Sequence, residues 1–172
     1  MSQISQVICY NSDMEEKAKK IIQKIIYITI ATVTKDGNPW NSPVSSAYDN
    51  KYNFYWASDK NGQHSKNIRE NPNVFLVIYD STMPEGTGEG VYIQAKAYEL
   101  TNETEIQHAL DTGYKRKGES GHHHEPNEFL GEFPRRFYKA VPEKFWMNGD
   151  GDVNGNYIDI RLEVNLLKDK PE

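Results

Sequence analysis

The sequence predicts a mainly β fold, a closed antiparallel barrel of six or more strands with a few flanking helices. Apolar runs of strand length recur at the spacing of β-hairpins, and helical periodicity is confined to a few segments. The aromatic content of 12% suits strands and contacts with flat ligands alike. At 172 residues the chain can bury a sizeable core, so we expect a single domain over residues 1–172.

Two longer helices are predicted outside the strands. The first covers residues 12–26, because Ser12–Glu15 has the form of a capping box and apolar residues then repeat every three or four positions. The second covers residues 102–117 and is amphipathic. Four of its residues are expected to face inward: Ile106, Ala109, Leu110 and Tyr114.

The barrel core is predicted within about residues 27–101, where turn-forming residues separate apolar runs. A short helix over Gln63–Asn71 interrupts the strands just before Pro72. The expected core strands are Ile30–Val33 (beginning near Tyr27), Pro39–Tyr48, Tyr52–Ala57, Val74–Tyr79 and Gly88–Thr101. The expected C-terminal strands, within about residues 137–167, are Phe137–Val141, Phe145–Asn148 and Asn156–Leu167.

Charge and patterning argue against several classes of partner. A net charge of −5 does not favour nucleic acid, because phosphate backbones require clustered Lys and Arg. Cys9 is the only cysteine, so no internal disulfide is possible. Residues 1–11 lack a signal-peptide pattern, and the longest apolar run, Ile21–Ile30, is too short and too polar to span a membrane. We therefore expect a cytoplasmic protein without membrane contact.

The start of the short helix at Gln63 has the chemistry of an anion site. Helix N-termini present free backbone N–H groups and the positive end of the helix dipole. His64, Ser65 and Lys66 add side-chain donors, and Ser42 on a neighbouring strand is a further candidate. Two simpler interpretations remain open at this point, a polar helix start without a ligand and an aromatic strand that only fills the core.

The order of these segments resembles the FMN-binding split-barrel family of pyridoxamine 5′-phosphate oxidase-like proteins. Four stretches carry the resemblance: the Asp-Gly turn within Thr34–Pro39, F-Y-W-A-S at Phe54–Ser58, N-I-x-x-N-P-x-V at Asn67–Val74, and G-V-Y-I-Q-A-K-A at Gly90–Ala97. The resemblance implies a six-stranded antiparallel split β-barrel of Greek-key type. It also implies a homodimer that binds FMN, with each site built from both chains.

Carried over residue by residue, the resemblance implies a flavin site in two parts. The residues implied to face the flavin ring are Pro43, Val44, Trp56, Ala57 and Ser58. The residues implied to hold the phosphate are Ser42, Gln63, His64, Ser65 and Lys66. Trp146 and Arg161 are implied to supply a second wall from the partner chain.

The sequence departs from the family where the family carries charge. Gln63 and His64 stand in place of an Arg and a Lys of the phosphate loop, and Ser42 stands in place of a first-strand Arg. Ala47 replaces the substrate-side Lys, and the C-terminal Arg-His-Asp-Arg element is reduced to Arg161. Little or no oxidation of pyridoxamine 5′-phosphate is therefore expected, unless Arg135 or Arg136 replaces these cations.

Two other motifs match metal-binding patterns only in part. Asp150–Asn156 opens like a calcium loop, but Arg161 occupies the position of the bidentate Glu, so a glycine-rich hairpin is the better interpretation. His122–Glu125 offers imidazoles to zinc, but adjacent residues rarely converge on one ion. No metal site is predicted.

The resemblance implies an FMN-dependent oxidoreductase acting on a small molecule. Because the flavin carries the chemistry, no catalytic side chain is identified. The alternatives are a non-catalytic flavin-binding or sensor protein, and a split barrel that binds deazaflavin F420 or haem in place of FMN.

Overall fold

The computed structural model describes residues 3–118 and 123–168, with side chains described from Asp13 onward. Its helices are α1 (Gln3–Lys24), α2 (Gln63–Glu70), α3 (Glu103–Lys117) and a 3-10 helix (Pro126–Phe129). Its strands are β1 (Tyr27–Val33), β2 (Pro39–Ser45), β3 (Ala47–Tyr48), β4 (Phe54–Asp59), β5 (Asn73–Tyr79), β6 (Gly90–Glu99), β7 (Arg135–Val153) and β8 (Asn156–Val164). The mainly β fold expected from the sequence is confirmed.

All the strand pairings are antiparallel, in the order β2-β1-β5-β6-β7-β4-β3, and β8 also pairs with β7. One edge of the long strand β7 pairs with β6, and the other edge pairs with both β4 and β8. β4 pairs along Arg135–Ala140, and β8 pairs along Phe145–Val153. The two ends of this order, β2 and β3, are separated in the chain only by Ser46. The sheet must therefore curl back towards its own beginning.

The split barrel implied by the resemblance is confirmed, but it does not have six strands, and the closed barrel predicted from the strand spacing is wrong. Within residues 3–118 and 123–168 the sheet has eight strands, and no hydrogen-bonded ladder joins β2 to β3. Ser46, between them, donates its backbone N–H to the Ile26 carbonyl instead (3.0 Å). The barrel is therefore open, or split, at this seam.

The main core fills the inside of the curled sheet. Inward-facing residues alternate along the strands as the two-residue period requires, with Ile28 and Ile30 of β1 and Leu76 and Ile78 of β5 at 0–1% exposure. α1 packs on this core through three buried residues: Met14, Ala18 and Ile22. Burial of this apolar area is the main source of stability.

A second core lies between α3 and the opposite face of β4. It contains Tyr55, Leu100, Ile106, Ala109, Leu110, Tyr114, Phe129 and Phe137. All four residues expected to face inward from the second helix are among them. β4 therefore has two buried faces, with Phe54 and Trp56 in the barrel and Tyr55 against α3.

α3 begins and ends as its sequence suggests. The Asn102 side chain accepts hydrogen bonds from the N–H groups of Thr104 (2.8 Å) and Glu105 (3.3 Å). Gly118 ends the helix with a left-handed φ of 68°. The predicted bounds of 102–117 are confirmed, with Asn102 as the cap.

Several predicted boundaries are wrong, among them that of the strand Pro39–Tyr48, which is interrupted at Ser46 and forms β2 and β3. The first helix begins at Gln3 and ends at Lys24, so Ser12–Glu15 lies inside it and is not a capping box. The spacing of Ile4, Val7 and Ile8 continues the helical period upstream, which explains the earlier start.

The predicted strands Phe137–Val141 and Phe145–Asn148 are one strand, β7. Pro142, which has no N–H to donate, lies where the pairing with β6 shifts register between Gln94 and Ala95. A β-bulge at this point lets the strand continue through proline.

The glycine-rich segment Asp150–Asn156 is the tip of the β7–β8 hairpin. Val153 pairs with Asn156, and the intervening Asn154 and Gly155 have φ of 55° and 80°. Positive φ at both central residues is the signature of a two-residue Asn-Gly turn. The prediction of a hairpin here is confirmed.

In the part of the chain that the structure describes, no helix is long and apolar enough to cross a membrane.

Candidate ligand-binding cleft

A cleft of about 570 Å³ opens beside the second core. Its walls are the end of β2, the middle of β4, the second half of α3, and the chain from His124 to Phe137. The volume is in the range of cofactor and small-molecule sites. Apolar side chains form much of the lining: Ile26, Val44, Leu110, Phe129, Phe133 and Phe137.

Tyr55 is a fixed part of one wall. Its hydroxyl donates to Asp49 Oδ2 (2.9 Å), and its ring meets the edge of the His108 ring with centroids 5.5 Å apart. Partial burial opposes ionisation of Asp49, but hydrogen bonds from Asn53 and Tyr55 outweigh it and lower the pKa of Asp49. Burial and the neighbouring Asp49 raise the pKa of Tyr55, which remains a neutral phenol.

Arg116 joins the cleft to α1. Its Nη2 donates to the carbonyls of Ile22 (2.8 Å) and Ile25 (2.7 Å), at the end of α1, where helical carbonyls lack partners within the helix. Its guanidinium also lies over the Tyr48 ring, 4.8 Å from the centroid. This cation is therefore used to fix the cleft wall.

The ring-facing residues implied by the resemblance lie together. Those that line the cleft are Pro43, Val44, Trp56, Ala57 and Ser58. The Trp56 indole itself belongs to the barrel core, where it is 1% exposed and stacks on Tyr138 with centroids 5.6 Å apart. Its ring is therefore not free to lie against a ligand.

The phosphate-binding residues implied by the resemblance are not among the residues that line this cleft. Ser65 Oγ donates to the Asp59 carbonyl (2.7 Å), and Gln63 Nε2 donates to Asn67 Oδ1 (2.8 Å). Ser42 Oγ accepts from Trp40 Nε1 (3.0 Å). Lys66 is exposed on α2.

His64 faces the barrel interior. Its Nε2 is buried and has no hydrogen-bond partner among the described residues, and its ring meets the Tyr138 ring edge-on at 6.3 Å. Burial lowers the pKa of His64 from its ordinary value of 6.5. The imidazole is thus neutral at physiological pH, whereas the family has a cation at this position.

This burial predicts a pH-dependent stability. The unfolded chain takes up a proton on His64 more readily than the folded one, so stability should fall as pH drops below about 6.5 towards the lower native pKa. Above about pH 6.5 the His64 imidazole is neutral in both the folded and the unfolded chain, so it contributes no pH dependence. Urea unfolding at about pH 7 and about pH 5.5 should show a smaller loss for His64→Leu than for the original protein. Equal losses in the two proteins would contradict the assignment.

Trp146 and Arg161 lie on the outer face of the sheet, away from this chain's cleft. Trp146 stacks on Phe75 with centroids 6.1 Å apart, and the Arg161 guanidinium lies over the Tyr92 ring at 4.2 Å. Tyr92 pairs with Trp146 across β6 and β7. The three aromatic rings and the arginine therefore form one surface.

The histidines of the 122–125 motif point to different neighbours. His122 lies outside the described residues. The His123 ring packs edge-on against Tyr114, and His124 Nδ1 lies 2.9 Å from Glu128 Oε2. In residues 3–118 and 123–168, no three His, Cys, Asp or Glu side chains are grouped as a metal site.

A family model described as pyridoxamine 5′-phosphate oxidase matches residues 14–148. The chain belongs to this family. The matched region of the pyridoxamine 5′-phosphate oxidase family includes every wall of the cleft and ends before β8. A search of curated proteins finds no match.

Solved structures share the fold at low sequence identity. Campylobacter jejuni ChuZ is 16% identical with a TM-score of 0.65, over 90% of this chain and 63% of its own. A haem binding protein from Mycobacterium smegmatis is 14% identical with a TM-score of 0.61, over 86% and 57%. An F420 reductase is 19% identical with a TM-score of 0.52, over 74% and 94%. These likenesses show the fold alone.

The sequence did not indicate the contribution of α3 and the 3-10 helix to the cleft. Leu110, Tyr114 and Arg116 line it from α3, and Phe129 lines it from the 3-10 helix. The amphipathic pattern of α3 predicts which of its faces is buried. It does not predict which segments that face packs against.

Proposed function

We propose that the protein binds FMN in this cleft and is an FMN-dependent oxidoreductase acting on a small molecule. The main support for this proposal is that Pro43, Val44, Ala57 and Ser58 line one cleft of about 570 Å³. These are residues whose counterparts in the family face the flavin ring. A cytoplasmic location is part of the proposal.

The lining suits a flat, largely apolar ring system. Val44, Ala57 and Phe129 offer apolar surface, and the hydroxyl of Ser58 and nearby backbone groups offer polar contacts. When bound, FMN would supply the electron-transfer chemistry, and the protein would bind, orient and shield it. Burial of Trp56 and Tyr138 behind β4 gives that wall a rigid backing.

We propose a homodimer formed through the outer face of the sheet. This outer aromatic face consists of Tyr27, Phe75, Tyr79, Tyr92 and Trp146. Tyr27, Phe75 and Tyr79 are 66%, 39% and 49% exposed. Contiguous exposed aromatic surface is typical of an interface, and a two-fold axis would pair the face with itself. Trp146 and Arg161 would then lie at the interface with the second chain.

The proposed substrate is a small molecule other than pyridoxamine 5′-phosphate. Ala47, where the family has a lysine, lines the cleft and is 5% exposed. Arg136 does not replace the lost cations, because it is buried and donates to the carbonyls of Phe133 and Arg135 (both 2.7 Å). Arg135 is the one of the two replacement candidates that lines the cleft.

Titration of the purified protein with FMN tests the proposal. We expect quenching of flavin fluorescence with one FMN per chain and a rise in Tm with ligand concentration, because FMN contacts only the folded protein. Light scattering on the same sample should give a dimer. The absence of both quenching and a Tm shift would overturn the proposal, and a monomer at micromolar concentration would overturn its dimeric part.

The ligand in freshly purified protein separates FMN from its rivals. Its mass and absorption spectrum after denaturation distinguish FMN from a deazaflavin or haem. Reduction of the bound flavin by a nicotinamide donor, followed by reoxidation by an acceptor, would separate an oxidoreductase from a non-catalytic flavin carrier.

A further inference from the structure

The sign of the charge in the cleft differs from that of the whole chain. The chain carries a net charge of −5. Among the described residues that line the cleft, Arg116, Lys117 and Arg135 are cations and Glu128 is the one carboxylate. A cleft lined by one sign of charge attracts ligands of the opposite sign.

Two of these four charged groups are already engaged. Arg116 donates to the carbonyls at the end of α1. Glu128 accepts hydrogen bonds from the Glu125 N–H (2.9 Å) and pairs with His124, and these contacts lower the pKa of its carboxyl. Glu128 is therefore not positioned to neutralise Lys117 or Arg135.

Lys117 and Arg135 retain free donor capacity. Both side chains are exposed, and within residues 3–118 and 123–168 neither forms an ion pair. Arg135 Nη2 makes a long contact to the Ala57 carbonyl (3.3 Å), which places its guanidinium beside the ring wall. The Gly118 N–H donates to the carbonyls of Tyr114 and Lys115. These carbonyls at the end of α3 therefore have a donor other than the Lys117 side chain.

The other candidate anion site, at the start of α2, has few side-chain donors available for a ligand. Gln63 and Ser65 use their side chains within the protein, and His64 is neutral with its Nε2 buried. Lys66 is the remaining cation there. Gly62 provides no side-chain cap, so the donors that remain at the start of α2 are the Lys66 ammonium and backbone N–H groups.

We infer that Lys117 and Arg135 bind the anionic group of the ligand at the mouth of the cleft, in place of the α2 loop. The inference rests on the proposed function in taking FMN as the ligand and its phosphate as the anion. A guanidinium and an ammonium offer charge-assisted hydrogen bonds to phosphate, and the guanidinium can bind it with two parallel bonds. The ring would then lie between β2, β4 and α3, with its phosphate towards Lys117 and Arg135.

The test compares FMN with riboflavin, which has the same ring and no phosphate. The double variant Lys117→Gln/Arg135→Gln should bind FMN roughly tenfold to a hundredfold more weakly, with riboflavin affinity unchanged. Lys35→Gln/Lys51→Gln removes the same net charge from exposed positions outside the cleft and should leave the ratio of the two affinities as it is. Circular dichroism and Tm confirm that each variant is folded.

Loss of the preference for FMN in His64→Gln/Lys66→Gln, with Lys117→Gln/Arg135→Gln unaffected, would overturn the inference and leave the proposed function standing. If the original protein binds neither flavin, the proposed function fails, and a second pair of probes tests the cations alone. Anilinonaphthalene sulfonate should then bind more weakly to Lys117→Gln/Arg135→Gln than to the original protein, with uncharged phenylnaphthylamine unaffected. Equal binding of the sulfonate to both proteins would overturn the inference.

Discussion

Replacing Gly113 by phenylalanine is expected to abolish FMN binding while the protein remains folded. Gly113 lies on α3 and lines the cleft, and a Cβ built on it meets no atom within 4 Å. A large side chain can therefore enter the cleft without displacing backbone, where it would occupy the space proposed for the flavin ring. We expect affinity to fall by roughly a hundredfold or more, because ring and side chain cannot share one volume.

Gly113→Ala is the matched control. It adds one methyl group to the same position and should raise the free energy of unfolding by up to about 1 kcal/mol, since alanine favours helix over glycine. Its FMN affinity should stay close to that of the original protein. Fluorescence titration of the three proteins gives the comparison, and full affinity in folded Gly113→Phe would place the flavin elsewhere.

Replacing Arg136 by methionine is expected to lower the free energy of unfolding by about 2 kcal/mol or more. Arg136 is 8% exposed, donates to the carbonyls of Gly131, Phe133 and Arg135, and lies 3.4 Å from Glu99 Oε1. Its loss would remove a donor from three backbone carbonyls and leave Arg69 as the remaining ion-pair partner of Glu99. The cleft wall at Phe133–Arg135 would lose its anchor.

Arg135→Met is the control for this change, because it removes the same charge from the adjacent, exposed residue. Its long contact to the Ala57 carbonyl predicts a loss of less than about 1 kcal/mol. Urea denaturation at neutral pH measures both variants. Equal losses for Arg135→Met and Arg136→Met would show that Arg136 does not anchor the segment.

Much of the fold could be predicted because local signals agreed with tertiary structure. Asn102 and Gly118 bracket α3 with strong cap chemistry, and Asn154-Gly155 specifies a tight hairpin. One prediction failed because a distant pairing partner determines the structure. β7 continues through Pro142 only because a bulge against β6 absorbs the missing N–H, and no local pattern shows that pairing.

In the candidate site, too, the part determined by local sequence could be predicted, and the part determined by packing between distant segments could not. β2 and β4 could be placed from an ordered series of motifs, which led to Pro43, Val44, Ala57 and Ser58. The opposite wall combines α3 with the chain after residue 123, and it depends on packing between segments far apart in sequence. His64 shows the limit most clearly, because its polar type suggested a phosphate contact, whereas the fold buries its Nε2 beside Tyr138.

The most direct test of the central claim is a crystal structure of the protein with bound FMN. We expect flavin density between β2, β4 and α3, with the ring against Val44 and Ala57 and the phosphate within hydrogen-bond distance of Lys117 and Arg135. Flavin density outside this cleft would contradict the claim, whether on the outer face of the sheet or with its ring against α2.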